Sequence, residues 1–252
     1  MLAACMMLAA QGAQIPAPMP GYQLAWHDEF DGWRIDQTKW KPWALGPRRD
    51  AVNVPEAARL DGRGQCYITT RRVTGPDGKS LIQSGGIWTR GTFAPRYGYF
   101  EARIQFQTQL GHWGAFWLNC DGMGNPPDDP NSGTEVDIVE FHQRMAGGGE
   151  VQHNLHWNGY GDRHKSTGAK VGDLRPAEEF HTYGVLWEPK GFRFFVDGRQ
   201  TWVPKSDARV VVSSRPEYLI LSLEVGSWAG NIQDATLPDW MIVDWVRVWR
   251  KR

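Results

Sequence analysis

Between residues 21 and 252 runs in which apolar and polar positions alternate recur between turn residues, and no segment keeps a long 3.6-residue apolar period. In Phe100-Glu101-Ala102-Arg103-Ile104-Gln105-Phe106 the apolar side chains take one face and the polar ones the other. Tyr218 to Val225 sets Leu219, Leu221, Leu223 and Val225 on one side, and Phe192 to Val196 and Met241 to Trp249 read as further strands. Asp77-Gly78 and Asp197-Gly198 are predicted hairpin turns, because glycine supplies the positive φ that tight primed turns need. Single helical turns are predicted at Pro55 to Arg59 and from Pro176-Ala177-Glu178-Glu179. No composition break divides the chain, and the Gly/Pro/Asp-rich stretch Asp121 to Gly133 reads as a loop. Many strands joined by short turns predict an all-β fold, a two-sheet sandwich.

One run breaks the alternation. Glu135-Val136-Asp137-Ile138-Val139-Glu140 places three acids among β-branched residues that belong in a core. Strict alternation puts Glu135 and Asp137 on one face but buries Glu140. A β-bulge at Ile138 or Val139 resets the phase and returns Glu140 to the other acids. Three carboxylates on one face raise one another's pKa values, a cost that chemistry explains better than decoration does. A Ca²⁺ site draws on loop carbonyls and Asp/Asn-rich loops rather than alternate strand positions. Glycosidic cleavage needs a carboxylate nucleophile and a carboxylic acid, ~5–5.5 Å apart where configuration is retained.

Composition narrows the partners. The 252 residues carry 28 Lys+Arg against 28 Asp+Glu, which argues against nucleic acid and anionic membrane, both of which favour a basic surplus. Fourteen Trp suit both core packing and flat stacking platforms. Residues 1–20 read as a leader: Met1 to Ala13 is small and apolar, and Pro16 and Pro18 end any helix. Secretion or export to a periplasm is expected, although no basic residue precedes the apolar run. Leu2-Ala3-Ala4-Cys5 also looks like a lipoprotein cleavage box. No later segment approaches the ~20 apolar residues of a membrane span. Cys66 and Cys120, outside any CxxC pattern, form either one disulfide or two buried thiols.

The acidic run Glu135-x-Asp137-x-x-Glu140 resembles the bulged signature of glycoside hydrolase family 16, found in laminarinases and galactan-cleaving relatives. Trp26-His27-Asp28-Glu29-Phe30-Asp31-Gly32 is similar to that family's opening strand, and Gly98 to Ile104 with Gly114 to Leu118 to its central block. Phe180-His181-Thr182-Tyr183 with Trp187, and Val243 to Trp249, resemble its closing strands. The resemblance spans residues 22–250. It implies one catalytic domain over residues 21–252, a concanavalin A-like β-jelly-roll sandwich of two antiparallel sheets with an open concave cleft, and retaining endo-hydrolysis.

Carried over, Glu135 is the nucleophile, Asp137 its assisting carboxylate and Glu140 the general acid/base. The resemblance also points to Trp113 and Trp117 as walls of the sugar site; they share a strand face ~13 Å apart. His156 is a candidate polar contact near the acids, and Arg90 and Trp228 are candidates to reach substrate from flanking strands and loops. Glu101 and Arg103 either face the cleft or form an intrastrand ion pair. Glu29 and Asp244 resemble positions that hold a structural calcium in some relatives; no cofactor is expected to be required. The implied partner is a polysaccharide and the expected state a monomer. A β-1,3- or mixed-linkage glucan is the first expectation, and a β-galactan the second. A silent lectin-like sandwich is a rival, disfavoured because all three acids are present. A transglycosylase is disfavoured by the bulged spacing.

Overall fold

Period-two patterning with turn residues between the runs leaves the chain little but strands to form. The computed structural model describes residues 15–252, so Cys5 and most of the expected leader lie outside the described residues. One sheet runs Lys41–Pro42, Ser80–Trp88, Tyr218–Val225, His112–Asn119, Glu135–Phe141, Val151–Trp157, Lys165–Val171, each antiparallel to the next. The facing sheet runs Arg199–Trp202, Gly191–Val196, His181–Glu188, Gly98–Gln105, Asp239–Lys251. The far edge of that last, long strand pairs with Cys66–Thr74 along its first half and with Tyr22–Asp28 along its second. The hairpin from Cys66–Thr74 to Ser80–Trp88 carries the chain from one sheet to the other. One parallel pairing, Ala51–Asn53 on Ser80–Trp88, is added at the margin. The result is the expected jelly-roll sandwich.

Alternation decides which residues fill the space between the sheets. Leu219, Leu221 and Leu223 point inward from one sheet and Phe100, Ala102 and Ile104 from the other, all in one core cluster. Each large apolar side chain so buried contributes roughly 1.5–3 kcal/mol. The same parity turns Ile220, Ser222 and Glu224 to the opposite face, where the cleft lies. The Asp197-Gly198 turn has both φ values positive (49° and 72°), as its sequence predicts. Pro55–Ala57 forms a 3₁₀ turn, whereas residues 176–178 make only a hydrogen-bonded turn closed by Glu178 and Glu179 amides on the Arg175 carbonyl.

Several polar residues find partners away from the cleft. Gly98–Gln105 lies in the sheet opposite the cleft, so Glu101 and Arg103 do not face substrate, and each takes another partner. Glu101 accepts from the Tyr99 hydroxyl at 2.8 Å, and Arg103 crosses to Asp244 at 2.8 Å. Glu29 accepts both Arg247 nitrogens, at 3.0 and 2.7 Å. The Glu29 and Asp244 carboxylates thus each carry a guanidinium partner. Cys66 and Cys120 are both buried free thiols. Burial pushes the Cys120 thiol up to about 12, so it is unreactive at neutral pH.

Candidate active site

The acidic strand carries the bulge its sequence requires. Asp137 pairs with Trp117 but Val139 with Phe116, so Ile138 is the extra residue. On the other edge, Asp137 pairs with Asn154 and Glu140 with Gln152. Val136, Ile138, Val139 and Phe141 all reach the core, and Glu135, Asp137 and Glu140 all line the same cleft. Two adjacent β-branched residues face inward because the bulge bends the strand between them.

Each outer carboxylate is gripped by two donors on a single oxygen. Glu135 Oε2 accepts from Asn119 Nδ2 at 2.7 Å and from the Tyr160 hydroxyl, while Asn119 also donates to that hydroxyl at 2.9 Å. Glu140 Oε2 accepts from Gln152 Nε2 at 3.0 Å and Asn154 Nδ2 at 2.7 Å. In both residues Oε1 is left for chemistry. Asp137 Oδ2 lies 3.2 Å from His156 Nε2, and His156 Nδ1 lies 2.9 Å from His164 Nε2. The set is satisfied when His164 donates to His156 and His156 donates to Asp137.

Burial is the leading cause of a shared electrostatic state. It lifts Glu135 to about 8, helped by the neighbouring Asp137 charge and opposed by the Tyr160 bond. It lifts Asp137 well above the ordinary aspartate range, with Glu140 and Glu224 adding to the effect. Glu140 is raised as well, against the pull of its two amide donors. The group therefore holds protons at neutral pH that three solvated carboxylates would have lost.

The cleft around these acids encloses about 740 Å³. Trp113, Trp117, His156 and Trp228 line it, and none of them belongs to the core cluster. The Trp117 indole is fixed by a 3.0 Å bond to Ser222 Oγ, and Trp113 and Trp228 meet edge to face at 5.2 Å. Arg90 stands outside the lining. Its guanidinium sits 5.0 Å over Trp88, pairs with Asp121 at 2.9 Å, and so props a wall without reaching into the cleft. Residues that sequence reasoning missed complete the site: Asn119, Gln152, Asn154 and Tyr160 on the acids, and Trp43, Arg48, Arg49 and Glu224 on the wall. Alternation in Val151–Trp157, which sets Gln152, Asn154 and His156 on one side, was the available signal. Tyr160 lies on a loop, where no period marks it.

The sequence model described as Glycosyl hydrolases family 16 matches residues 54–247, most of the chain. The chain belongs to glycosyl hydrolase family 16. Among curated relatives, the keratan-sulfate endo-1,4-beta-galactosidase of Sphingobacterium multivorum is 26% identical over 91% of this chain, which spans 55% of that protein. The beta-glucanase of Rhodothermus marinus is 28% identical over 99% of this chain and 91% of its own length. The solved laminarinase catalytic domain of Thermotoga petrophila superposes with a TM-score of 0.76 at 26% identity, covering 92% of this chain and 98% of that one.

Two residues of this family 16 chain give predictions beyond the acids. Glu217 is fully buried, takes the Thr134 amide at 3.0 Å beside the acidic strand, and leaves Oε2 without a partner among the described residues. Burial raises its carboxyl from the ordinary 4.5 to about 8. The unfolded chain releases that proton near pH 4.5 while the folded chain keeps it, so folding stability falls as pH rises from there to about 8. Glu217→Gln should flatten that slope by an amount on the order of a few kcal/mol, read from urea melts across the window. A melt series with unchanged slope would refute this. Tyr160→Phe removes a donor from Glu135, so the carboxylate is less favoured and its pKa rises further. The acid limb of kcat/KM should move to higher pH, with about a tenfold loss on the acidic side. A pH profile superposing on wild type would count against it.

Proposed function

We propose that the protein is a retaining, endo-acting hydrolase of a β-linked polysaccharide, with a β-1,3- or mixed-linkage glucan as substrate. The observation that carries this reading is the bulged strand with Glu135 and Glu140 on one cleft face, each with one oxygen saturated and one spare. In its ionised form Glu135 attacks the anomeric carbon through Oε1 while Glu140 gives its proton to the departing glycosidic oxygen. The C–O bond to the leaving sugar breaks as the glycosyl ester to Glu135 forms. Glu140, now a carboxylate, then takes a proton from water, which displaces Glu135 and restores both acids. Asp137, whose carboxyl burial holds well above the ordinary aspartate range, stands between them and accepts from His156. Asn119 and Tyr160 supply the charge stabilisation that a departing carboxylate needs.

Relatives named as beta-glucanase and glucan endo-1,3-beta-glucosidase support the glucan. Export of the chain fits a polymer too large to enter a cell, and a monomer suffices because one chain supplies every residue used. Among the described residues no helix is long and apolar enough to cross a membrane. The test is digestion of laminarin, lichenan, agarose and arabinogalactan, with proton NMR of the first products. Oligosaccharides whose new reducing ends appear first in the β-configuration are expected from the glucans. First products of α-configuration would overturn the mechanism. Activity on the galactans alone would move the substrate, and activity on none would favour a carbohydrate-binding module.

A further inference from the structure

A second charged cluster in the cleft makes no hydrogen bond to the three acids among the described residues. Glu224 sits opposite Trp113 on the neighbouring strand, faces the cleft and is only 7% exposed. Its Oε1 accepts from Arg48 Nη2 at 2.8 Å and its Oε2 from Arg49 Nε at 2.6 Å. Each guanidinium also lies on an indole, Arg48 at 4.5 Å from the Trp43 ring centre and Arg49 at 5.1 Å from that of Trp113. Arg49 occupies the turn between Gly46–Arg48 and Ala51–Asn53 with φ at 50°, a left-handed conformation uncommon for a residue with a side chain. The turn is tied down by the Asp50 amide on the Val225 carbonyl at 3.3 Å.

The cluster has more donors and more positive charge than its own carboxylate can use. Each guanidinium carries five N–H groups, and Glu224 takes one nitrogen from each. Arg48 Nε is buried without an acceptor, and the Nη1/Nη2 fork of Arg49 makes no hydrogen bond among the described residues. Two cations against one anion leave one positive charge on a wall that also contains Trp113 and Trp228. Stacking of a neutral sugar needs the indoles but not that surplus. A planar fork with unspent donors matches a carboxylate or sulfate bidentately. The nearby catalytic carboxyls, held above their ordinary range by burial, repel an anion less than three full charges would.

We propose that the Arg48–Glu224–Arg49 end of the cleft is a subsite for a sugar bearing an anionic substituent, a carboxylate or a sulfate ester, on the β-glycan that the enzyme cleaves. Glu224 orients the two guanidiniums, and Arg49, the more exposed of them, meets the anion. The inference rests on the hydrolase reading and adds the chemistry of its substrate. It is tested with laminarin, carboxymethylated laminarin and sulfated laminarin at about 0.01 M and about 1 M salt. Both hydrolysis and calorimetric binding of the corresponding oligosaccharides are measured. Wild type should prefer at least one anionic form, and the preference should shrink at high salt. Arg49→Ala should lower the anionic-to-neutral ratio of kcat/KM by about tenfold or more, and Arg49→Lys should restore it only in part. The better of the two modified substrates identifies the anion. A ratio that is unaffected by salt and by both variants would overturn the subsite while leaving the hydrolase reading intact. Arg49-dependent binding of the anionic oligosaccharide without hydrolysis of any substrate would keep the subsite and remove the hydrolase.

Discussion

Glu135→Gly is expected to abolish polysaccharide hydrolysis, lowering kcat by about 10⁴-fold or more, and to regain turnover when azide is added. The expectation follows from which oxygen is spare. Asn119 and Tyr160 both converge on Glu135 Oε2, so the variant removes the attacking Oε1 and leaves two donors facing an open space. Azide is small and anionic, and it fits where a carboxylate was held. Because it attacks from the same side as Glu135, the product must be the glycosyl azide of inverted configuration, formed in one displacement. The bulged strand keeps its core anchors, since Val136, Ile138 and Val139 remain buried, so oligosaccharide binding should survive. Measuring azide adduct stereochemistry by NMR decides the matter. A variant with near-wild-type hydrolysis, or an azide product of retained configuration, would show that another group is the nucleophile.

The acids were legible in sequence for a definite physical reason. Three carboxylates in a β-branched run satisfy both a buried face and a reactive face only if one residue is extra, and Ile138 is that residue. The strands were legible wherever one face is buried, as at Leu219, Leu221 and Leu223. What failed was assigning an alternating pair to the correct face of the molecule. Glu101 and Arg103 alternate with core residues just as Trp113 and Trp117 do, yet they lie on opposite sheets. Local period tells which side chains share a face, not which sheet that face belongs to. Tyr160 and Arg49 were invisible for a different reason. Both sit in turns, where position is fixed by backbone geometry such as the left-handed Arg49, and no repeating pattern reports it.

Glu224 becomes interpretable only through its contacts. Read along its strand it is one more cleft-facing residue after Ile220 and Ser222. In three dimensions it collects arginines from a hairpin 175 and 176 residues away. Its charge also bears on Asp137, which links the wall to the reactive centre electrostatically. Through this electrostatic coupling an anion bound at Arg49, as proposed, should leave the carboxyls slightly more protonated.

That coupling bears on the second large effect, at Glu140. Burial and the neighbouring Glu224 raise its carboxyl, while Gln152 and Asn154 oppose the rise. A raised carboxyl stays protonated to higher pH, so the acid is competent below its pKa and is lost as pH rises through it. Wild type should show an alkaline limb of kcat/KM above the ordinary glutamate range. Glu140→Ala should remove that limb and lower turnover on polysaccharide by about 10²–10⁴-fold, the usual contribution of general acid–base catalysis. The loss should depend on the leaving group. Aryl β-glycosides with acidic phenols depart without a proton, so their first step should be nearly unaffected and a glycosyl-enzyme on Glu135 should accumulate, visible as a burst of phenol and by intact-protein mass. Adding azide should then speed turnover and give the azide of retained configuration, because two displacements still occur. Equal losses on activated and unactivated substrates, or an alkaline limb that persists in the variant, would move the proton donor away from Glu140.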